Sequence, residues 1–393
     1  MITAPTSTTT GGPSLAERLR HLDPIRRRLP VCDLPDEQAL ADELGARIAA
    51  PGVLLLERSR PLSRRHGRFR PGESATVMSA LFAQASTDPS KWAFIDTETS
   101  GLAGGTGTWA FTCGVACIRG DELLLQQWLL TRLDAEPTML KLLAEVLSGA
   151  ELLISYNGKS FDLPLLITRF RLAGRCCALE GMAHLDLLYP VRRAFSSRWP
   201  DCRLATVERL LLGFQRDDDL PGAEAPAAWL DWLGRGDGGR LGAVLRHNRL
   251  DLISLAALVP AMARAERVPE AHGTDVGALA RHRLRCGDTQ GALGLLARVD
   301  TSLRPAERLL LASLYRRCGD WECARNLWEG LAAGGEPAAL EALAKYHEHR
   351  SGDLNQALAL VQRLPAGQAR DHRRRRICRK LDAAGPASSL QLP

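Results

Sequence analysis

The chain predicts an α/β layer fold followed by an α-helical repeat module, and three observations carry that prediction. An apolar run over 92–98, left through a glycine-rich loop, has the length of a buried strand. Two β-rich runs flank the turn Arg119-Gly120-Asp121 as a hairpin, and helix-like and strand-like runs then alternate. In the last third, a Gly-Asp pair recurs at 287, 319 and 352, with offsets of 32 and 33 residues.

Taken in order, residues 1–14 are rich in Thr, Ser, Pro and Gly and have no apolar core, so they read as disordered and not as a secretory signal. A short basic helix over 15–29, broken near Pro24, a second helix over 37–49 and a strand over 53–57 follow. Residues 1–90 thus form a basic N-terminal region whose composition assigns it no function. The domain over 91–265 has strands at 92–98, 108–118 and 122–130, a helix over 136–147 beginning near Pro137, a strand at 151–156 and a helix over 161–172. Further helices follow near 204–212 and 240–265. Over 276–365 each Gly-Asp pair lies between two helix-like runs, which makes a stack of helical hairpins near the ~34-residue tetratricopeptide period. Three pairs are about the minimum for a continuous stacked core, so this module is expected to lean on the preceding domain and to bind or brace a protein. Residues 366–393 read as a basic, disordered tail.

No apolar run approaches the roughly 20 residues a membrane helix needs. The ten cysteines have no regular spacing, which suits reduced thiols in the cytoplasm better than a disulfide framework. Cys113 and Cys117 lie in an apolar strand with no second Cys or His pair, so packing is the reading there. The net charge of +6 is unevenly spread: 58–70 holds six Arg and no acid, and 371–380 holds five Arg, one Lys and one Asp. Such segments read as contacts for a polyanion, or as a solvated surface and a free tail. The glycine loop at 101–107 fits neither GxGxxG nor GxxxxGK[ST], which excludes both phosphate-loop readings.

The chemistry-bearing residues fall in three places. Asp96 and Glu98 end the strand at 92–98 on one face, about 7 Å apart. Paired carboxylates there either hold a divalent cation or simply end a strand. Asp162 falls in the first turn of a helix that follows a buried strand, as a capping acid or as a third carboxylate at the same sheet end. His247 and Asp251, four apart on a helix, share a face, as a local ion pair or as part of the same site. Together, four carboxylates match the charge of two Mg²⁺ or Mn²⁺ ions, which promote in-line phosphoryl displacement, and a neutral His nearby suits a general base. Asp186 reads as a structural cap more than as an acid steering a ligand. Asp217, Asp218 and Asp219 read as a solvated loop, and Lys159 as an exposed loop residue.

The Asp-x-Glu, Asp, His-Asp series resembles the DEDD (DnaQ-like) 3′–5′ exonucleases of the ribonuclease-H-like fold. More narrowly, residues 92–262 resemble the YprB-type ribonuclease-H-like domain, through FIDTETSGL at 94–102, YNGKSFDLPLL at 156–166, HLDLLYPVRR at 184–193, DLPG at 219–222 and HNRLDLISL at 247–255. The resemblance implies a mixed sheet flanked by helices. It also implies that Asp96, Glu98, Asp162 and Asp251 ligate two Mg²⁺ or Mn²⁺ ions, with His247 as the base. One departure stands out: His-containing members of the wider superfamily usually place His five residues before the last Asp, and here the separation is four. The function expected is a metal-dependent exonuclease acting on RNA or single-stranded DNA ends, with a possible protein partner on 276–365. The alternatives are a nucleic-acid-binding scaffold with little turnover and a hydrolase of small phosphodiesters.

Overall fold

The computed structural model describes residues 36–76, 88–101, 106–177, 179–299 and 303–384. The helix expected over 15–29, residues 1–14 and 102–105 of the glycine loop lie outside them.

Seven strands form one mixed sheet in the order β1-β2-β5-β4-β3-β6-β7. They are β1 (Arg47–Ala50), β2 (Val53–Pro61), β3 (Trp92–Thr99), β4 (Ala110–Arg119), β5 (Glu122–Leu130), β6 (Leu152–Ser155) and β7 (Ala183–Asp186). β3, β4 and β5 make the expected antiparallel meander, closed at Gly120, whose φ of +57° suits a tight turn. β6 and β7 run parallel to β3, each reached through a crossover helix, α2 (Glu136–Leu147) and α3 (Asp162–Leu172).

The N-terminal region departs from expectation. The helix predicted over 37–49 is shorter: α1 (Glu37–Leu44) stops at Gly45, φ +63°, and the chain turns into edge strand β1. β2 continues through Pro61 and pairs with β5 along its whole length. Leu54, Leu55 and Leu56 are buried there, so the sheet itself extends into the segment composition had set apart. An uncovered β5 would have been a bare apolar edge.

Alternation along β3 sorts its side chains into two layers. Trp92 and Phe94 join one apolar cluster with Ile154 and Leu255, while Ala93 and Ile95 join the other with Phe111, Trp128 and Trp229. Helix α4 (Leu188–Phe195) and the turns Leu204–Val207 and Glu208–Leu212 precede α5 (Ala225–Arg235) and the 27-residue α6 (Leu241–Arg267). α6 lies across β3, β4 and β5 on the Phe94 side.

Helical hairpins follow: α7 (Val276–Arg285) with α8 (Thr289–Arg298), α9 (Pro305–Arg317) with α10 (Trp321–Ala333), and α11 (Pro337–Tyr346) with α12 (Leu354–Gln362). The Gly-Asp repeat has a local cause. Gly287, Gly319 and Gly352 take φ of +82°, +84° and +75° after each first helix. Asp288, Asp320 and Asp353 then cap each second helix by accepting from the amides of Gly291 (2.7 Å), Cys323 (3.0 Å) and Gln356 (2.9 Å). Leu279, Leu295 and Leu311 share one buried cluster with Trp92, so the array does lean on the sheet domain.

The 366–393 segment is not a free tail over its described part. Gln368–Ala384 forms α13. Arg376 (2.6 Å) and Lys380 (2.9 Å) bind the buried carboxylate of Glu348, and Arg373 binds Glu341 at 3.0 Å. A buried acid on the preceding hairpin explains the order that composition missed. No helix among the described residues is long and apolar enough to cross a membrane.

Candidate active site

β3 outruns its parallel neighbour. β6 pairs with it only over Trp92, Ala93 and Phe94, so the rest of β3 pairs with β4 alone. A register shift between Glu98 and Thr99 bends the last turn of the strand. The carboxyl end of β3, where the sheet changes from antiparallel to parallel, is therefore an open crevice of the kind in which α/β sheets place ligands. The first turn of α3 enters beside it, and Asp162 accepts from the Thr97 amide (3.1 Å) and hydroxyl.

The four carboxylates singled out in the sequence lie near enough here to act on one another's charge, without closing on a common point. Burial, then the charges of Asp251, Asp162 and Glu98, hold the Asp96 carboxyl well above its ordinary range. Burial and then Asp251, Asp162 and Asp219 push Glu98 up to about 8, and burial pushes Asp162 up to about 6. Carboxyls this close cannot all ionise without a cation between them. A cleft of about 460 Å³ opens onto Asp96, Glu98 and Asp162, with Tyr156 and Phe161 in its wall. Phe161 is 56% exposed.

As placed, no three His, Cys, Asp or Glu side chains among the described residues converge to hold a metal ion. Three of the four carboxylates are engaged within the protein. Asp96 Oδ2 accepts from Asn248 Nδ2 (2.8 Å), Asp162 faces Thr97, and Asp251 is held by Arg216. The donor set nonetheless fits a hard divalent cation, being entirely carboxylate oxygen. Asp219 Oδ1 adds a buried oxygen with no partner.

His247 stands beside this cluster with Nε2 3.7 Å from Asp251 Oδ2. Its Nδ1 lies 2.8 Å from Asp219 Oδ2, to which Arg216 Nη1 also donates at 2.9 Å. Asp219 is thus no solvated loop acid, as its neighbours Asp217 and Asp218 are. It receives Nδ1–H, which leaves Nε2 as the free acceptor facing Asp251. The DLPG motif was the available signal, and a run of three acids masked it. Asp186 has the structural role expected, accepting from the amides of Asn157 (2.7 Å), Lys159 (3.0 Å) and Leu188 (3.0 Å). Lys159 lies over the Tyr189 ring, 5.6 Å from its centre.

Three further side chains escaped the sequence reading. Arg216 bridges Glu208, Asp219 and Asp251. Glu208 is buried behind it, also accepting from Ser254. Asn248 donates to the Asp96 carboxylate and carbonyl, while its own oxygen accepts from Gln127 Nε2 at 2.8 Å.

A profile of the RNase_H superfamily matches residues 93–263. YprB of Bacillus subtilis (strain 168) is 31% identical over 330 residues, 79% of each chain. Among solved structures, the family B DNA polymerase of Pyrobaculum calidifontis matches 58% of this chain at 15% identity and a TM-score of 0.33, and this chain spans 29% of the polymerase. The motifs of the acidic crevice lie within the matched profile, and the likeness to YprB continues well beyond it: the chain belongs to the YprB family, with an RNase_H superfamily domain built around the carboxyl end of β3.

Proposed function

We propose that the protein is a metal-dependent 3′–5′ exonuclease that hydrolyses terminal phosphodiesters of RNA or single-stranded DNA. The observation that carries this reading is the gathering of Asp96, Glu98, Asp162 and Asp251 at one strand end, where buried negative charge needs cations. Two Mg²⁺ or Mn²⁺ ions, when bound, supply Lewis acidity for the attacking water and the leaving 3′ oxygen. The chain's own residues do the rest. Asp96, Glu98, Asp162 and Asp251 hold the ions, Asp219 fixes the His247 tautomer, and His247 Nε2 accepts the proton of the attacking water. The exposed ring of Phe161 offers a stacking surface for a terminal base.

The basic segments support a nucleic-acid partner unequally. Arg373, Arg376 and Lys380 are occupied by Glu341 and Glu348. The guanidinium of Arg249 instead sits below its usual range through burial and through the charges of Arg58 and Arg246, a crowding that an anionic backbone would relieve. A scaffold reading rests on the tetratricopeptide-like hairpins, where Trp321, Trp328 and Tyr346 line a groove of about 700 Å³ suited to a protein partner. The nine described cysteines are all free, in keeping with a cytoplasmic setting.

The test is digestion of single-stranded RNA and DNA, labelled at either end, by purified protein with Mn²⁺ or Mg²⁺. Shortening from the 3′ end is expected, with Asp96→Asn inactive and His247→Ala slowed about 10²–10⁴-fold. Retained cleavage by Asp96→Asn would sink the assignment. Binding without cleavage by the wild type would favour the scaffold, and cleavage of dinucleotides alone the small-phosphodiester hydrolase.

A further inference from the structure

Among the described residues, Arg216 is set among the acids of the crevice with four of its five N–H groups donated to carboxylates. Nε donates to Glu208 Oε2 (2.8 Å), and Nη2 donates to Glu208 Oε1 (2.6 Å) and to Asp251 Oδ1. Nη1 donates to Asp219 Oδ2 (2.9 Å) and lies 3.3 Å from His247 Nδ1. Its side chain is 9% exposed and that of Glu208 2%, so the pair is fixed behind the crevice. Ser254 and His66 buttress Glu208 from the far side. The bidentate grip of Glu208 needs nothing from Asp251. Asp251 can therefore turn away while the guanidinium stays in place.

We propose that Arg216 is the resident counter-ion of Asp251, and that a divalent cation gains Asp251 only by taking it from this guanidinium. The inference rests on the cation-centred reading above and adds a competitor to it. An ion that uses Asp251 competes with a fixed positive charge and binds more weakly than it would without the guanidinium. Arg216 is thus a positioning residue that sets how much metal the centre requires.

The experiment is Mn²⁺ titration of the full chain, followed by calorimetry and by the electron paramagnetic resonance of free Mn²⁺, with no substrate present. The wild type should bind Mn²⁺ in a class of sites that Asp251→Asn weakens or removes. In the double variant Arg216→Gln with Glu208→Gln, which removes the guanidinium together with the carboxylate behind it, that class should tighten by at least about tenfold. Arg216→Lys keeps the charge but cannot bridge two carboxylates with a planar fork, so it should shift the same class by a smaller factor. An unchanged or weakened affinity of that class in the Arg216 variants, with native circular dichroism, would overturn the counter-ion role and leave the nuclease reading standing. Absence of Mn²⁺ binding that Asp96→Asn or Asp251→Asn alters would overturn both.

Discussion

His66 touches Ser254 across 188 positions of chain, its Nε2 2.8 Å from the hydroxyl. Because that hydroxyl donates to Glu208, the ring nitrogen must be the donor, and His66 is neutral with its proton on Nε2. Burial first, then Arg60 and Arg216, pushes its pKa down to about 3. A histidine depressed in this way contributes stability in full above its unfolded value near 6.5, and that contribution is lost as the pH falls toward 3. Comparing urea unfolding of the wild type and His66→Gln isolates it from the carboxyls, whose raised pKa values act in the opposite sense. The wild type should lose about 1–2 kcal/mol more than the variant between pH 7 and pH 5. Equal losses would mean that His66 is not held neutral. At this scale spacing alone put Asp96 and Glu98 on one strand face and His247 and Asp251 on one helix face, and the strand-to-helix turn placed Asp162 at the same sheet end. Arg216, Glu208 and Asn248 act through partners from other elements, which no local spacing encodes.

Among the elements, the seating of α6 on the sheet decides where Asp96 points. Asp96, Gly114 and Gln127 form one row across β3, β4 and β5, and Asn248 sits over it. A Cβ on Gly114 would lie 2.2 Å from Asn248 Oδ1 and 2.9 Å from Leu252 Cδ1. Gly114→Ala should therefore lift α6, cost about 1–3 kcal/mol by thermal unfolding and lower nuclease turnover well before it abolishes folding. Asn248→Ala should leave α6 seated yet weaken Mn²⁺ binding, since Asp96 loses its orienting donor. If Gly114→Ala were neutral in both measurements, the close approach would carry no constraint. The meander, the crossover helices and the long helix were legible as periodicity and turn chemistry. The strand Arg47–Ala50 was not, because its pattern continues that of α1 and only Gly45 divides them.

For the molecule as a whole, a single sheet takes strands from both sides of residue 90, and the helical array closes on a helix drawn from an arginine-rich segment. Arginines read as free charge in the sequence because their acid, Glu348, lies in an earlier hairpin. Arg376 and Lys380 donate to that carboxylate and, against the cost of its burial, hold it at about 2, with Arg373 lying 3.8 Å away. Glu348→Gln should lower the stability of the array by about 1–2 kcal/mol and free α13 for proteolysis. Unchanged tryptic protection of 368–384 would contradict this. The cluster shared by Trp92 and Leu279 has a practical meaning. A truncation at residue 275 would strip an oily wall from the sheet domain and leave the opening hairpins with nothing to rest on. Neither piece should then be well behaved in isolation, since each buries apolar side chains against the other.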